Sequence, residues 1–254
     1  MLIQTPPDMN KLRGFESSVT PILESGLPKT TILSKNVLLI ENFLKSSSVE
    51  EINNMMKDKS FYPVSVQGMQ NIENAADIGS HRATMWNPVM AESLEKLFKN
   101  VDFPRLREFK NTDSTDWWQP NREYNKYEYY GISPMLRYMK YQNGGKHACH
   151  YDAGHIYKDN RYRTLMSMVM YLSTNTTGAT RIIRDNQEKM NVWDRNHSDW
   201  SRDVENDEII VKSYPKSGNV LIFDHRIPHD VEQFTATNNE ERIIIRGDLI
   251  FKAI

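Results

Sequence analysis

The chain has 254 residues, 39% of them hydrophobic and 26% charged, which is enough apolar material for a core and rules out a disordered chain. Lys and Arg number 32 against 33 Asp and Glu, a net charge of -1, which argues against a broad nucleic-acid or anionic-membrane surface because such surfaces need an excess of cations. No apolar run approaches the ~18 residues of a membrane span, and the single Cys149 excludes an intrachain disulfide or a multi-cysteine metal cluster. The N-terminal stretch has no charged-then-apolar secretory pattern, so a reducing cytoplasm is the expected compartment.

In chain order, residues 1–36 carry Pro6, Pro7, Pro21 and Pro28 and read as an irregular lead-in. Residues 36–42 form an apolar run suited to a strand. Ser48 followed by Glu51 has capping-box spacing, and Ile52, Met55 and Met56 continue at helical spacing. Residues 61–67 and 81–86 read as strands, and Pro88 opens a second helix over 89–98. Residues 113–141 are crowded with aromatics, among them Trp117, Trp118, Tyr124, Tyr127, Tyr129, Tyr130, Tyr138 and Tyr141. These suit strand and loop packing or a wall over a ligand pocket.

The second half alternates short strands with turn signals: 135–141, 147–152, 164–172, 179–183, 208–214, 219–223 and 242–251. Strands in this number without intervening helices predict a sandwich or jelly-roll barrel, so the fold class is mainly β with flanking helices, α+β. Residues 184–207, with Trp193 and Trp200, form a long polar loop of the kind that tends to be functional.

One constellation carries chemistry. On a strand, His150 and Asp152 point to the same face and can present an imidazole and a carboxylate to one ion. His229, after strand 219–223, can supply a third donor. Two His and one carboxylate with open positions form the facial triad of non-haem Fe(II) oxygenases. The plain alternative is a partly exposed His and Asp at a strand end. His147 and His155 suggest a zinc site instead, although strand parity points His147 away from His150. His225 competes with His229. In the last strand, parity sets Arg242, Ile244, Arg246 and Asp248 on one face and Ile243, Ile245, Leu249 and Phe251 on the other. A guanidinium on the first face can grip a carboxylate, or the arginines can face solvent, or Arg246 can pair with Asp248.

Arg137 to Lys146 followed by His150-Tyr-Asp152, then 163–172, Gly178-Ala-Thr-Arg-Ile182, Pro215 to Asp224 with His225-Arg-Ile-Pro-His229, and Arg242 to Asp248 together resemble the Fe(II)/2-oxoglutarate-dependent dioxygenases, specifically their prolyl 4-hydroxylase-like branch. The family's paired glycines are displaced at Gly178, and the His229–Arg242 interval is slightly long. The resemblance implies a double-stranded β-helix (jelly-roll) core and one oxygenase domain over 1–254, with 1–115 as cover and 116–254 as catalytic core. It implies Fe(II) held by His150, Asp152 and His229. It also implies 2-oxoglutarate bound by Arg242 or Arg246 beside Tyr141, with dioxygen as co-reactant. Asp152 favours hydroxylation over halogenation, since related halogenases lack that carboxylate. The implied substrate is a small molecule such as an amino acid, or a prolyl peptide. Arg181, Arg246, Asp248 and the tryptophans of 184–207 would serve the first, and an aromatic groove over 117–141 the second. No nucleic-acid or membrane partner is expected. The competing classes are a catalytically silent jelly-roll binding module and a cupin-type metalloenzyme.

Overall fold

Period-two alternation in the second half of the chain becomes two facing sheets. The computed structural model describes residues 6–19, 21–63, 79–109, 124–157, 161–186 and 204–254. Within them the elements run β1 (Gly14–Glu16), β2 (Lys29–Ser34), β3 (Val37–Glu41), α1 (Ser46–Met56), β4 (Tyr62–Pro63), β5 (Ser80–Trp86), α2 (Pro88–Phe98) and β6 (Leu106–Glu108). There follow β7 (Lys126–Ile132), β8 (Met135–Tyr141), β9 (His147–His150), β10 (Tyr162–Tyr171), β11 (Thr180–Ile183), β12 (Ile209–Ser213), β13 (Val220–Asp224), β14 (His229–Val231) and β15 (Arg242–Ala253).

The larger sheet has the order β1-β5-β8-β15-β10-β13-β3-β2, and the smaller β12-β11-β14-β9. Strands β8, β15, β10 and β13 face the smaller sheet and form the jelly roll with it. Residues 1–115, read as a cover, also extend the larger sheet, with β3 on β13 and β5 on β8.

Strand β15 separates two apolar layers. Ile245, Leu249 and Phe251 enter the outer one with Ile52 and Met56 of α1 and Met90, Leu94 and Phe98 of α2. Ile244 enters the inner one, between the sheets, with Tyr141, Tyr171, Phe223, Ile182 and Phe234. Each fully buried side chain of this kind contributes roughly 1.5–3 kcal/mol, so the face assignment of β15 is strongly enforced.

Both helices form, for different reasons. Asn87 caps α2 by accepting from the Met90 amide at 2.9 Å, with Pro88 in the first turn. Helix α1 starts at Ser46, and Ser48 is not its cap. The buried Ser48 hydroxyl instead accepts from the Glu24 amide at 2.7 Å. The lead-in is thus held in place, and it contains β1 and β2 rather than irregular chain alone. Of the strand expected at 61–67, the described part is Tyr62–Pro63. Trp117, Trp118, Trp193 and Trp200 lie outside the described residues. Of the other aromatics, Tyr127 and Tyr138 are in the outer core, and Tyr129 packs edge-on to Phe103 and Phe251. These serve packing, whereas Tyr141 faces the inner layer.

Candidate active site

Strands β9 and β14 place the two histidines side by side. His150 is registered opposite His229 and His147 opposite Val231. Three steps on β9 therefore match two on β14, so β9 carries a bulge. The bulge defeats simple parity: the His147 ring lies 4.1 Å from that of His150, contrary to the expectation that it points away. The His150 and His229 rings are 4.3 Å apart. Asp152 lies two residues past the end of β9 and is buried.

Donor atoms of His150, Asp152 and His229 all lie within 4.8 Å of one another. The two Nε2 atoms are 3.8 and 3.5 Å from Asp152 oxygens. Ligands held at ~2.1 Å from one ion stand at most ~4.2 Å apart, so these separations fit a shared metal. The far ring nitrogens are already used: Nδ1 of His150 meets the Ala148 carbonyl at 2.7 Å, and Nδ1 of His229 meets that of Ile227 at 3.0 Å. Each Nδ1 therefore carries the proton and each Nε2 offers its lone pair. Burial pushes His150 well below the ordinary histidine range and lowers His229 as well, so both rings are neutral near pH 7. Burial alone would raise the Asp152 carboxyl. Arg246, followed by the imidazoles, outweighs burial and holds it well below the usual carboxylate range. The donor set is thus deprotonated and ready for a divalent ion.

The structure separates the two arginines of β15. Arg246 lies 2.9 Å from Asp152 and 2.9 Å from Asp248. Ser167 donates to the other Asp152 oxygen. Arg242 is fully buried and stacks over Tyr141, 4.6 Å from the ring centroid. Its Nε donates to the Gly178 carbonyl at 2.6 Å and its Nη2 to Thr180 Oγ1 at 2.9 Å, while Nη1 is buried with no hydrogen-bond partner among the described residues. A buried cation with a spare donor is suited to an anion. Gly178 permits this packing: at φ +71°, a Cβ there would meet Arg242 Cδ at 2.9 Å.

The remaining candidates fall elsewhere. His225 lies 3.2 Å from Asp248, and His155 3.3 Å from Arg137 Nη2. Neither joins the metal-binding group found among the described residues. Arg181 pairs with Asp230 through two nitrogens. It alternates with Thr180 and Ile182, which face inward, and so lies outside the site. Sequence reasoning missed Ser167, Thr180 and Arg137. Arg137 was detectable, since 137, 139 and 141 alternate onto the face that carries Tyr141.

Two imidazoles and a carboxylate inside one end of the jelly roll form a donor set of the kind that non-haem iron sites use. Residues 136–247 match the family model of the 2OG-Fe(II) oxygenase superfamily. The superfamily's reaction uses Fe(II), 2-oxoglutarate and dioxygen, and the three donors here fit the iron. Among solved structures, the fold is shared with HygX from Streptomyces hygroscopicus with nickel and 2-oxoglutarate bound, at TM-score 0.51 and 12% identity, over 86% of this chain and 83% of that one. It is also shared with a prolyl hydroxylase from Trichoplax adhaerens in complex with a hypoxia-inducible-factor peptide, at TM-score 0.50 and 15% identity, over 84% and 83%. No curated protein matches the chain by sequence. No helix among the described residues is long and apolar enough to cross a membrane.

Proposed function

We propose that this chain is a 2-oxoglutarate-dependent hydroxylase in which His150, Asp152 and His229 hold Fe(II) and Arg242, beside Tyr141 and Thr180, binds the far carboxylate of 2-oxoglutarate. The observation that carries this reading is the convergence of three deprotonated donors from β9, its C-terminal extension and β14. Bound there, Fe(II) and 2-oxoglutarate supply the oxidative decarboxylation that activates dioxygen for attack on a substrate C–H. The protein's part is positional. Backbone carbonyls lock both imidazoles in the Nδ1–H tautomer. Arg246 and Ser167 hold the Asp152 carboxylate from its two oxygens. Phe223 packs on the His229 ring at 4.4 Å and helps exclude water from that side.

The substrate is a small molecule or a peptide, and no nucleic-acid partner is proposed. The whole chain acts as one oxygenase unit, since β3 and β5 pair directly with core strands. A reducing cytoplasm suits the lone, buried Cys149. The test is conversion of 2-oxoglutarate to succinate by the purified chain with Fe(II). Turnover is expected to require iron and to vanish in Asp152→Ala and His229→Ala. Iron-independent turnover, or full activity in Asp152→Ala, would remove these residues from the ligand set.

A further inference from the structure

Strand register sets a chain of charges behind the metal donors. Arg246 and Asp248 lie two residues apart on β15 and share its inner face. Ser167 on β10 is directly opposite Asp248, and Arg137 on β8 is directly opposite Arg246. Asp152 is held over this patch: Ser167 donates to its Oδ2, and Arg246 Nη2 lies 2.9 Å from its Oδ1. The same Nη2 lies 2.9 Å from Asp248, which Arg137 reaches at 3.2 Å. Carboxylate and guanidinium therefore alternate from Asp152 to Arg246 to Asp248 to Arg137. The charge of the one anionic metal donor is already paired within the protein.

Arg246 is fixed in this place. Its backbone pairs with Val169 on one side and Arg137 on the other, inside the longest strand of the sheet. Its side chain is 13% exposed, and Asp248 is fully buried. Asp248 is itself tied by Arg137 and by His225 at 3.2 Å, and its carbonyl accepts from the Ser133 amide at 2.8 Å. Swinging Arg246 away would strip two buried carboxylates of a cation, which is strongly unfavourable. A metal at the triad must therefore share Asp152 with the guanidinium. Asp152 Oδ1, the oxygen beside Arg246, is also 3.8 Å from His150 Nε2. Repulsion between two cations grows with the charge of each and is poorly screened when they are buried.

We propose that Arg246, pinned by Asp248, is a built-in counter-ion of the metal site: it competes with the metal for the charge of Asp152, loosens the hold on a divalent ion and disfavours ferric iron more than ferrous. This rests on the hydroxylase reading above and deepens it, since that reaction uses ferrous iron. Arg246 acts through Asp152 and is a positioning residue. A trivalent ion meets half as much repulsion again as a divalent one from the same guanidinium, so the fixed charge biases the site toward the lower oxidation state.

The test is Mn(II) titration of the full chain at fixed pH, read by the EPR signal of free Mn(II). Arg246→Gln is expected to bind Mn(II) at least about tenfold more tightly than the wild type, the reverse of what damage to the site does. Asp248→Asn leaves Arg246 with Asp152 as the remaining one of its two carboxylates, and is expected to weaken Mn(II) by at least about threefold. Arg246→Lys keeps the charge and is expected to stay within about threefold of the wild type. In the iron-loaded chain, an EPR-monitored redox titration should place the Fe(III)/Fe(II) potential of Arg246→Gln at least about 30 mV below the wild type, a threefold shift at ~59 mV per tenfold. Weaker or unchanged Mn(II) binding in Arg246→Gln, unchanged or tighter binding in Asp248→Asn, tightening in Arg246→Lys, or an unchanged potential would overturn the proposal. If Arg246→Gln fails to fold, Asp248→Asn and Arg246→Lys carry the test. His229→Gln reports separately on the hydroxylase reading. Mn(II) binding that survives it is not at the triad, and both readings then fall. Mn(II) binding lost in His229→Gln but indifferent to Arg246 removes the counter-ion alone.

Discussion

Replacing Arg242 by glutamine removes a buried cation with a spare donor while leaving His150, Asp152 and His229 untouched. In the wild type the guanidinium is pre-oriented by Gly178, Thr180 and the Tyr141 ring. A carboxylate arriving at Nη1 gains a charge-assisted fork without further ordering of the side chain. Two such hydrogen bonds contribute about 3 kcal/mol at the low end, so 2-oxoglutarate is expected to bind roughly 100-fold more weakly in Arg242→Gln. Arg242→Lys should recover part of this, as a point charge without the fork. The assay is titration of the Mn(II)-loaded protein with 2-oxoglutarate, alongside Mn(II) affinity measured without it. Mn(II) affinity should stay within about threefold, because Arg242 touches none of the three donors. If 2-oxoglutarate binding survives Arg242→Gln and is lost in Arg246→Gln, the roles of the two β15 arginines are reversed.

His225→Gln should leave metal affinity largely intact while His229→Gln removes it, read by Mn(II) titration; equal losses would contradict the separation of the two rings. Gly178→Ala forces a side chain onto a positive-φ position against Arg242 and Phe234. It should cost about 1–3 kcal/mol, with a Tm drop of roughly 2–4 °C per kcal/mol; an unchanged Tm would show that the loop relaxes freely. In the metal-free protein, His150 and His229 titrate below their unfolded range. The unfolded chain therefore binds more protons, and stability should fall as pH drops below about 6.5. Asp152 and Asp248 are also lowered, so their stabilisation persists above about pH 4 and is lost only in stronger acid. Thermal melts in chelator from pH 7.5 to 5 check the histidine part, and a flat profile there would count against neutral buried imidazoles.

The second half of the fold was legible in its sequence because turn residues bracket alternating runs. The expected 135–141 is β8, and 219–223 differs from β13 by one residue at each end. Strand β14 was missed because three residues, His-Asp-Val, carry no readable alternation. Strand β2 was missed because it pairs only with β3, at a sheet edge, and is polar and half exposed. Ser48 misled because a capping pattern is local, whereas its hydroxyl is claimed by Glu24 across the lead-in. At the site, His150, Asp152 and His229 could be proposed from strand logic and resemblance, but the place of His147 could not. A bulge is a register event between two strands and leaves no mark in either one alone. The choice between Arg242 and Arg246 needed the third dimension, since both share one face of β15 and only their neighbours differ.

Strand β15 spans twelve residues and is flanked by β10 on one edge and by β8 and β7 on the other, whereas β9 and β14 have four and three residues. Amide exchange should therefore be slowest around Arg242 and Arg246 and faster around the imidazoles. A metal ion at the triad would then exchange through brief fraying at one rim while the long central strand stays paired. Losing the metal would then leave a folded apoprotein that reloads without refolding.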